Sequence, residues 1–231
     1  MRRIAIVAAL PGELRPLVRG WEPARRAGLR LWRRRAGESE WVAACAGMGA
    51  AAALRALGAI EADGPATDVV SAGWAGAVRP AFAAGKAYWA SGVVDAGTGE
   101  RFAASGAGEV WLVTASRVAG RAEKARLARA FDAGLVDMEA AGLARVCARR
   151  GIAFRAIKGV SDGPSDLLPD FSRFVTAEGR FQLFRFTLFA LGRPRSWPTL
   201  VRMGRASDEA ARSIARALIV FLDREGASPS R

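Results

Sequence analysis

The chain has 231 residues, and its content of 51% hydrophobic and 25% charged residues excludes a largely disordered protein. A chain of this length can bury one large α/β core. The sequence contains no histidine, which removes the commonest general base and the commonest metal ligand. Any proton transfer therefore falls to carboxylates, lysine, Tyr88, cysteine or water.

The predicted elements alternate between strand and helix along the chain. They favour an α/β fold in a single domain, residues 1–231, with a mixed, largely parallel sheet flanked by helices. In chain order they are a strand at 3–10, a helical turn or helix at 12–20, a strand pair at 29–35 and 40–49, a helix at 50–61, a strand at 66–78, strands within 86–102, a strand at 109–115, a helix at 122–131, a strand that runs into a helix at 133–151, and a strand at 153–162.

The last part of the chain differs in composition. A basic aromatic segment, residues 178–205, is followed by a predicted amphipathic helix at 207–225, with Ser207 as N-cap and Gly226 as terminator. The apolar stripe of this helix is expected to cover one face of the sheet. For the aromatic part, 181–197, two interpretations stay open: packing and loop cover, or contact with an anionic membrane surface.

The formal net charge of +13 is compatible with nucleic acid, an anionic membrane or a solvated basic surface. The arginines are spread over most of the chain, apart from the run RRAGLRLWRRR at residues 25–35. No nucleic-acid docking motif accompanies them, so we expect a solvated surface and no nucleic-acid partner.

Two cysteines, Cys45 and Cys147, lie in apolar contexts without metal-ligand spacing. They favour reduced thiols in a cytoplasmic protein, and we expect no metal and no cofactor. The N-terminal apolar run is only seven residues long before Pro11, which is typical of a buried strand and not of an export signal. No segment approaches the roughly 20 apolar residues of a membrane span.

Three acids follow predicted strands: Glu13, Glu139 and Asp162. The carboxyl ends of strands in open α/β sheets are where ligands bind. Each acid also has a structural interpretation, since Asp162 could cap a turn and Glu139 could be a favourable first-turn helix acid. Spacing alone does not decide between these interpretations.

Five stretches resemble, in order and separation, the purine nucleoside phosphorylase and nucleosidase superfamily. They are IAIVAALPGE, AGMGAAAALRAL, SAGWAGAV, LVDMEAAGLARVCARRGIAF and IKGVSD, within residues 3–165. The sequence is most similar to the methylthioadenosine/S-adenosylhomocysteine nucleosidases, the futalosine hydrolases and the hopanoid-associated nucleosidases. The resemblance implies cleavage of the N-glycosidic bond of a 5′-substituted, adenosyl-type purine nucleoside.

The resemblance also implies roles for the acids. Asp162 would give a proton to N7 of the leaving base, for which an apolar strand end would keep it protonated. Glu139 would accept the two ribose hydroxyls, with Met138 beneath the sugar, and Glu13 would orient or deprotonate the attacking water. Further substrate-binding positions implied by the resemblance are Met48, Trp74, Val118, Ser161 and Lys158.

Two of these positions depart from the family pattern. Trp74 replaces a serine that helps to hold phosphate or water, and the Gly-x-x-x-Arg phosphate element is absent after Glu13. These departures favour hydrolysis over phosphorolysis, unless Trp74 is a core residue. Lys158 replaces an arginine, and its structural interpretation is a surface or strand-edge lysine. A phosphorylase and a catalytically degenerate nucleoside-binding protein therefore stay as alternatives.

The tail resembles that of the hopanoid-associated enzymes, whose nucleoside is linked to a lipid. The resemblance implies an apolar 5′ group, as in adenosylhopane, beside this tail. It also implies a homodimer in the cytoplasm, with membrane association through 181–197 as an alternative.

Overall fold

The computed structural model of the chain describes residues 2–166, residues 174, 176, 179, 182 and 186, and residues 197–227. Within these residues ten strands form one sheet. The strands are β1 (Arg2–Ala8), β2 (Glu22–Arg26), β3 (Leu29–Ala36), β4 (Ser39–Cys45), β5 (Asp68–Ala77), β6 (Ala87–Asp95), β7 (Arg101–Ala103), β8 (Val110–Thr114), β9 (Leu135–Asp137) and β10 (Ala153–Asp162). The helices are α1 (Pro11–Leu14), α2 (Ala50–Glu61), α3 (Arg121–Phe131), α4 (Ala140–Arg150) and α5 (Trp197–Ala227).

The sheet consists of an extended arm and a closed ring. In the arm, β1 pairs in parallel with β4 and β5, and the hairpin strands β3 and β2 follow β4 in antiparallel order. In the ring, β5 pairs in parallel with β10, and the pairing continues through β6, β8 and β9 back to β5. Strand β9 closes the ring antiparallel to β5, with Val136 opposite Gly76. The predicted mixed α/β sheet is confirmed.

Both faces of the sheet are covered by helices. Along β1, Ala5 and Val7 belong to a core shared with α2 and α4, whereas Ile4 and Ile6 belong to a core shared with α1 and α5. Successive side chains of a strand point to opposite faces, so a strand buried on both faces reads as a continuous apolar run. This is why IAIVA in the sequence predicts a buried strand correctly.

The sequence prediction missed β2. Its residues, EPARR, are mostly exposed and carry charges and a proline, so they lack the apolar alternation of a strand. Strand β2 nevertheless pairs with β3 through a two-residue turn at Ala27 and Gly28, both with positive φ. Such φ values are required by the tight hairpin turn that fits the twist of two antiparallel strands.

The C-terminal helix begins ten residues earlier than the predicted start at 207, so the assignment of Ser207 as N-cap is wrong. Pro198 lies in the first turn of α5, where the missing N–H has no helical partner to lose. Gly204 costs the helix roughly 1 kcal/mol, but burial of Ala206, Ala210 and Ile214 on one face outweighs it. Most of the basic aromatic segment lies outside the described residues. Among the described helices, none combines the length and apolar character that a bilayer crossing requires.

Candidate active site

A cavity of about 270 Å³ opens where β1, β5, β9 and β10 end and where α5 crosses them. Its wall carries eight of the nine residues that the sequence analysis assigns to the site: Glu13, Met48, Trp74, Val118, Met138, Glu139, Ser161 and Asp162. Glu13 precedes Glu139 and Asp162 by more than 120 residues in the sequence, yet the three acids lie around one cavity. The expectation that they converge agrees with this geometry.

Glu13 is buried in α1, just after β1. Its Oε2 accepts the backbone N–H groups of Ala9 and Leu10, both at 2.8 Å, and its Oε1 accepts that of Trp74 at 2.8 Å. Burial raises the pKa of Glu13, although these hydrogen bonds and the charge of Lys158 act in the opposite direction. The three N–H groups fix the carboxylate in one orientation, and the raised pKa makes it a better proton acceptor.

Glu139 lies at the N-cap of α4, directly after β9. Its Oε1 accepts the backbone N–H of Gly49 at 2.8 Å, and its Oε2 accepts that of Met138 at 3.2 Å. Burial and the negative charge of Asp137 raise the pKa of Glu139 to about 7. Each carboxylate oxygen has a second lone pair, so both can still accept a hydroxyl from a ligand in the cavity.

Asp162 ends β10 and is 6% exposed. The expectation of an apolar strand end around Asp162 is wrong, because polar and charged groups contact its carboxyl. The buried ammonium of Lys124 donates to Oδ2 of Asp162, and the Ser161 hydroxyl lies 2.6 Å from Oδ1. A buried carboxyl without a cation would be kept neutral by desolvation, whereas an adjacent ammonium favours the carboxylate. The carboxyl does point into the shared cavity and not into bulk solvent.

Lys158 is the predicted site residue that does not line the cavity. It is 1% exposed, and its Nζ forms an ion pair with Oδ2 of Asp137 at 2.8 Å. The interpretation as a surface or strand-edge lysine is therefore wrong, since Lys158 is buried and β10 has a partner strand on each side. Burial opposes the charge of Lys158, but the carboxylates of Asp137, Glu139 and Glu13 together raise its pKa. Lys158 is the buried counter-charge beneath the acids.

Trp74 is half-buried at the cavity wall and is not a pure core residue. Its indole Nε1–H donates to the backbone carbonyl of Ser207 in α5 at 2.9 Å. Its ring lies so close to α1 that a Cβ added at Gly12 would be 3.1 Å from it. The indole therefore links α5 to the wall beside Glu13 and occupies space there.

Sequence reasoning missed three charged residues at the cavity, Arg117, Lys124 and Asp137. Asp137 accepts hydrogen bonds from the Thr114 hydroxyl at 2.6 Å and the Ala140 N–H at 3.0 Å, besides its pair with Lys158. A signal for Lys124 was present, since it lies three residues before the buried Leu127 and hence on the apolar face of α3. Within the described ranges, no cluster of three or more acidic or cysteine side chains is arranged to hold a metal ion.

Comparison with protein-family models identifies the family of this chain. The model of the phosphorylase superfamily matches residues 3–110 and 109–184. The chain belongs to the phosphorylase superfamily. This confirms the resemblance inferred from the five sequence stretches. A comparison with curated protein sequences finds no match.

Several solved structures match the fold over nearly the whole length of this chain. A mutant of the Helicobacter pylori methylthioadenosine/S-adenosylhomocysteine nucleosidase, with 5′-methylthioadenosine in its active site, is 15% identical, with a TM-score of 0.73 over 97% of this chain and 99% of that chain. Helicobacter pylori futalosine hydrolase is 16% identical, with a TM-score of 0.73 over 96% and 98%. The Streptococcus pyogenes S-adenosylhomocysteine nucleosidase is 19% identical, with a TM-score of 0.72 over 96% and 97%. At these identities the likeness establishes the fold.

Proposed function

We propose that the protein hydrolyses the N-glycosidic bond of a 5′-substituted purine nucleoside and releases the free base. The observation that carries this proposal is the meeting of Glu13, Glu139 and Asp162, from three separate elements, around one cavity. Structures that share the fold include nucleosidases, one of them with 5′-methylthioadenosine in its active site. Breaking the bond leaves positive charge on the ribose and negative charge on the base, and carboxyl groups can serve both ends.

In this proposal each acid has one task. Glu139 accepts the ribose hydroxyls, with Met138 and Met48 against the sugar and the base. Glu13 takes a proton from the water that attacks C1′, a role that its raised pKa supports. Asp162 passes a proton to N7 of the base while the C1′–N9 electron pair moves onto the base, and Ser161 orients its carboxyl. Val118 belongs to the loop before α3 that is expected to contact the base.

Hydrolysis is favoured over phosphorolysis by the space beside Glu13. The Trp74 indole packs against Gly12 there, and its N–H is already donated to Ser207. An indole offers a phosphate neither charge nor a free hydrogen bond in this position. A phosphate dianion would also lie next to the buried carboxylates of Glu13 and Glu139, where low dielectric strengthens repulsion.

The apolar side chains from the C-terminal part of the chain support an apolar 5′ substituent, in the extreme case a lipid as in adenosylhopane. Phe186 and Met203 both line the cavity. We expect Met203→Ala to lower kcat/KM for a 5′-octylthioadenosine by about tenfold, as loss of a buried apolar contact costs about 1–3 kcal/mol. The same change should alter kcat/KM for 5′-methylthioadenosine less than threefold, and Val201→Ala, on the exposed side of α5, serves as the control. Equal losses on both substrates would contradict the lipid proposal.

We further propose a cytoplasmic homodimer, with membrane contact through 181–197 as an optional property. The two cysteines carry no disulfide, in line with a reducing compartment. Trp197 and Val201 are exposed apolar residues at the start of α5, beside Arg202 and Arg205. Sedimentation of the protein alone tests the dimer, and flotation with vesicles of anionic and of zwitterionic lipid tests the membrane contact.

The decisive experiment measures free base released from 5′-methylthioadenosine, S-adenosylhomocysteine, 5′-octylthioadenosine and inosine, with and without inorganic phosphate. We expect release without phosphate, and Asp162→Asn should lower the rate about 10²–10⁴-fold. Release that requires phosphate would make the protein a phosphorylase. Binding of these nucleosides without release by the wild type would make it a nucleoside-binding protein.

A further inference from the structure

The most unusual group at the cavity is the ammonium of Lys124. Lys124 lies in α3 and is 1% exposed, yet its side chain forms part of the cavity wall. Its Nζ donates to Oδ2 of Asp162 and to the backbone carbonyl of Gly163, the latter at 2.6 Å. An ammonium is costly to bury and remains charged only where such partners compensate it.

The backbone around the pair is shaped to admit it. Gly76 of β5 faces the pair, and a Cβ added there would lie 2.9 Å from Cε and 3.1 Å from Nζ of Lys124, and 3.1 Å from Oδ2 of Asp162. A side chain at position 76 would therefore push the ammonium and the carboxylate apart. Because Gly76 has no side chain, the Lys124 ammonium can contact the Asp162 carboxyl directly at the cavity wall.

We infer that Lys124 is a positioning residue that holds the proton which Asp162 passes to the leaving base. This inference rests on the proposed hydrolysis. The observation behind it is the hydrogen bond from Nζ of Lys124 to Oδ2 of Asp162. The stored proton resides on Nζ and reaches the base through Oδ2.

The step balances with water as the other reactant. The C1′–N9 bond breaks and its electron pair moves onto the purine, while N7 takes a proton from Asp162 and Asp162 takes one from Lys124. Water adds to C1′ and loses a proton to Glu13. As the products leave, Lys124, then a neutral amine, regains a proton from solvent, and Glu13 releases its proton to solvent.

Several other charged groups surround this pair and enter its pH dependence. From α3 itself comes Glu123, which pairs with Arg126 on the same helix. Other elements bring further charged groups to the cavity: Glu13 from α1, Arg117 from the loop before α3, Asp137 from β9, and Glu139 from the N-cap of α4. Asp166, which follows β10 at the edge of the cavity, accepts the Gly163 N–H and pairs with Arg202. All of these residues are retained in the variants at position 124, so any difference between variants originates in the loss of the Lys124 side chain.

The first test compares pH profiles of kcat. In the wild type the proton comes from the Lys124 ammonium, so we expect kcat to be level from about pH 7.5 to 9. In Lys124→Met the proton must come from the Asp162 carboxyl itself, so kcat should fall as pH rises, with a loss of about 10²-fold at pH 9 and less than tenfold at pH 6. Lys124→Arg should restore part of the alkaline activity. Lys86→Met, which replaces an exposed lysine, should follow the wild type.

A double variant separates this role from packing. If Lys124 acts through Asp162, adding Lys124→Met to Asp162→Asn should change kcat less than about twofold. A profile for Lys124→Met that matches the wild type in shape, or additive losses in the double variant, would overturn the inference. Urea unfolding of each variant shows whether the fold persists.

A binding measurement makes the test independent of turnover. 9-Deazaadenosine has a carbon–carbon glycosidic bond and an N7–H that must donate to a carboxylate. Calorimetry in two buffers of different ionisation enthalpy counts the protons released on binding at pH 6.5. Lys124→Met should release up to one proton more than the wild type, whereas equal release would overturn the inference. If the wild type frees no base from any nucleoside, the proposed function fails, and this proton count still decides whether Lys124 or Asp162 holds the proton.

Discussion

Replacing Lys158 by methionine tests how the protein tolerates three buried acids in one place. Methionine matches the length of the lysine stem, so the change removes the charge with little change in volume. Asp137 keeps its hydrogen bonds from Thr114 and Ala140 but loses its cation. The carboxylates of Glu13 and Glu139 lose a shared counter-charge at the same time.

The expected loss is large because the pair is buried. At the observed Nζ–Oδ2 distance of 2.8 Å, the attraction is about 6 kcal/mol for an effective dielectric constant of about 20. Part of it is offset by the cost of burying the ammonium. Broken buried pairs typically cost about 3–5 kcal/mol, and we expect a loss in that range at pH 8.

The loss should be smaller at pH 5.5. The pKa of Glu139, about 7, is raised above its usual value of 4.5, so the folded state binds more protons in this interval and stability falls as pH rises through it. Since Lys158 lowers the pKa values of Glu13 and Glu139, its removal extends this falling range to higher pH. Lys158, whose pKa is itself raised, is charged at both pH values, so the difference between them comes from the protonation of the acids.

The assay is equilibrium urea unfolding followed by tryptophan fluorescence, at pH 5.5 and pH 8, for the wild type, Lys158→Met and Lys86→Met. The exposed Lys86 provides the control, with an expected change below about 0.5 kcal/mol. A loss below about 1 kcal/mol at pH 8, or a loss that does not grow from pH 5.5 to pH 8, would refute the reasoning that Lys158 compensates the acids.

Two further predictions concern the acids themselves. Because ribose hydroxyls donate to the carboxylate form, affinity for 9-deazaadenosine should rise as the pH rises through about 7, the pKa of Glu139. Glu139→Gln should weaken binding about 10²-fold and make the affinity less dependent on pH. If calorimetry shows the same pH dependence in this variant, Glu139 is not its source. Gly73 has a φ of +143°, and a Cβ added there would lie 2.9 Å from Oε1 of Glu13. Gly73→Ala should therefore cost about 1–3 kcal/mol of stability and lower kcat. Gly58→Ala in α2, where no atom lies within 4 Å of an added Cβ, should instead stabilise by about 0.5–1 kcal/mol, so equal effects at both glycines in urea unfolding would contradict this account.

The sequence predicts an element well when residues close together in the chain encode it. The strands β1 and β10 and the helix α2 were predicted closely, since apolar runs and an alanine-rich stretch encode them locally. Strand β2 was not, because its hairpin partner β3 stabilises it and outweighs its weak local propensity. The first ten residues of α5 were not either, because they are mostly exposed and Ser207, followed by two acids, has the local pattern of a helix start.

For the site, the sequence by itself determined which acids follow strands and which superfamily the chain belongs to. Short apolar runs and motif spacing are properties of neighbouring residues, so no tertiary contact was needed to find Glu13, Glu139 and Asp162. Only the tertiary structure decided what faces these acids. The closure of the ring by β9 brings Asp137 to Lys158, and the packing of α3 brings Lys124 to Asp162. The protonation of a buried carboxyl depends on charges within a few ångströms, and those charges come from parts of the chain tens of residues away.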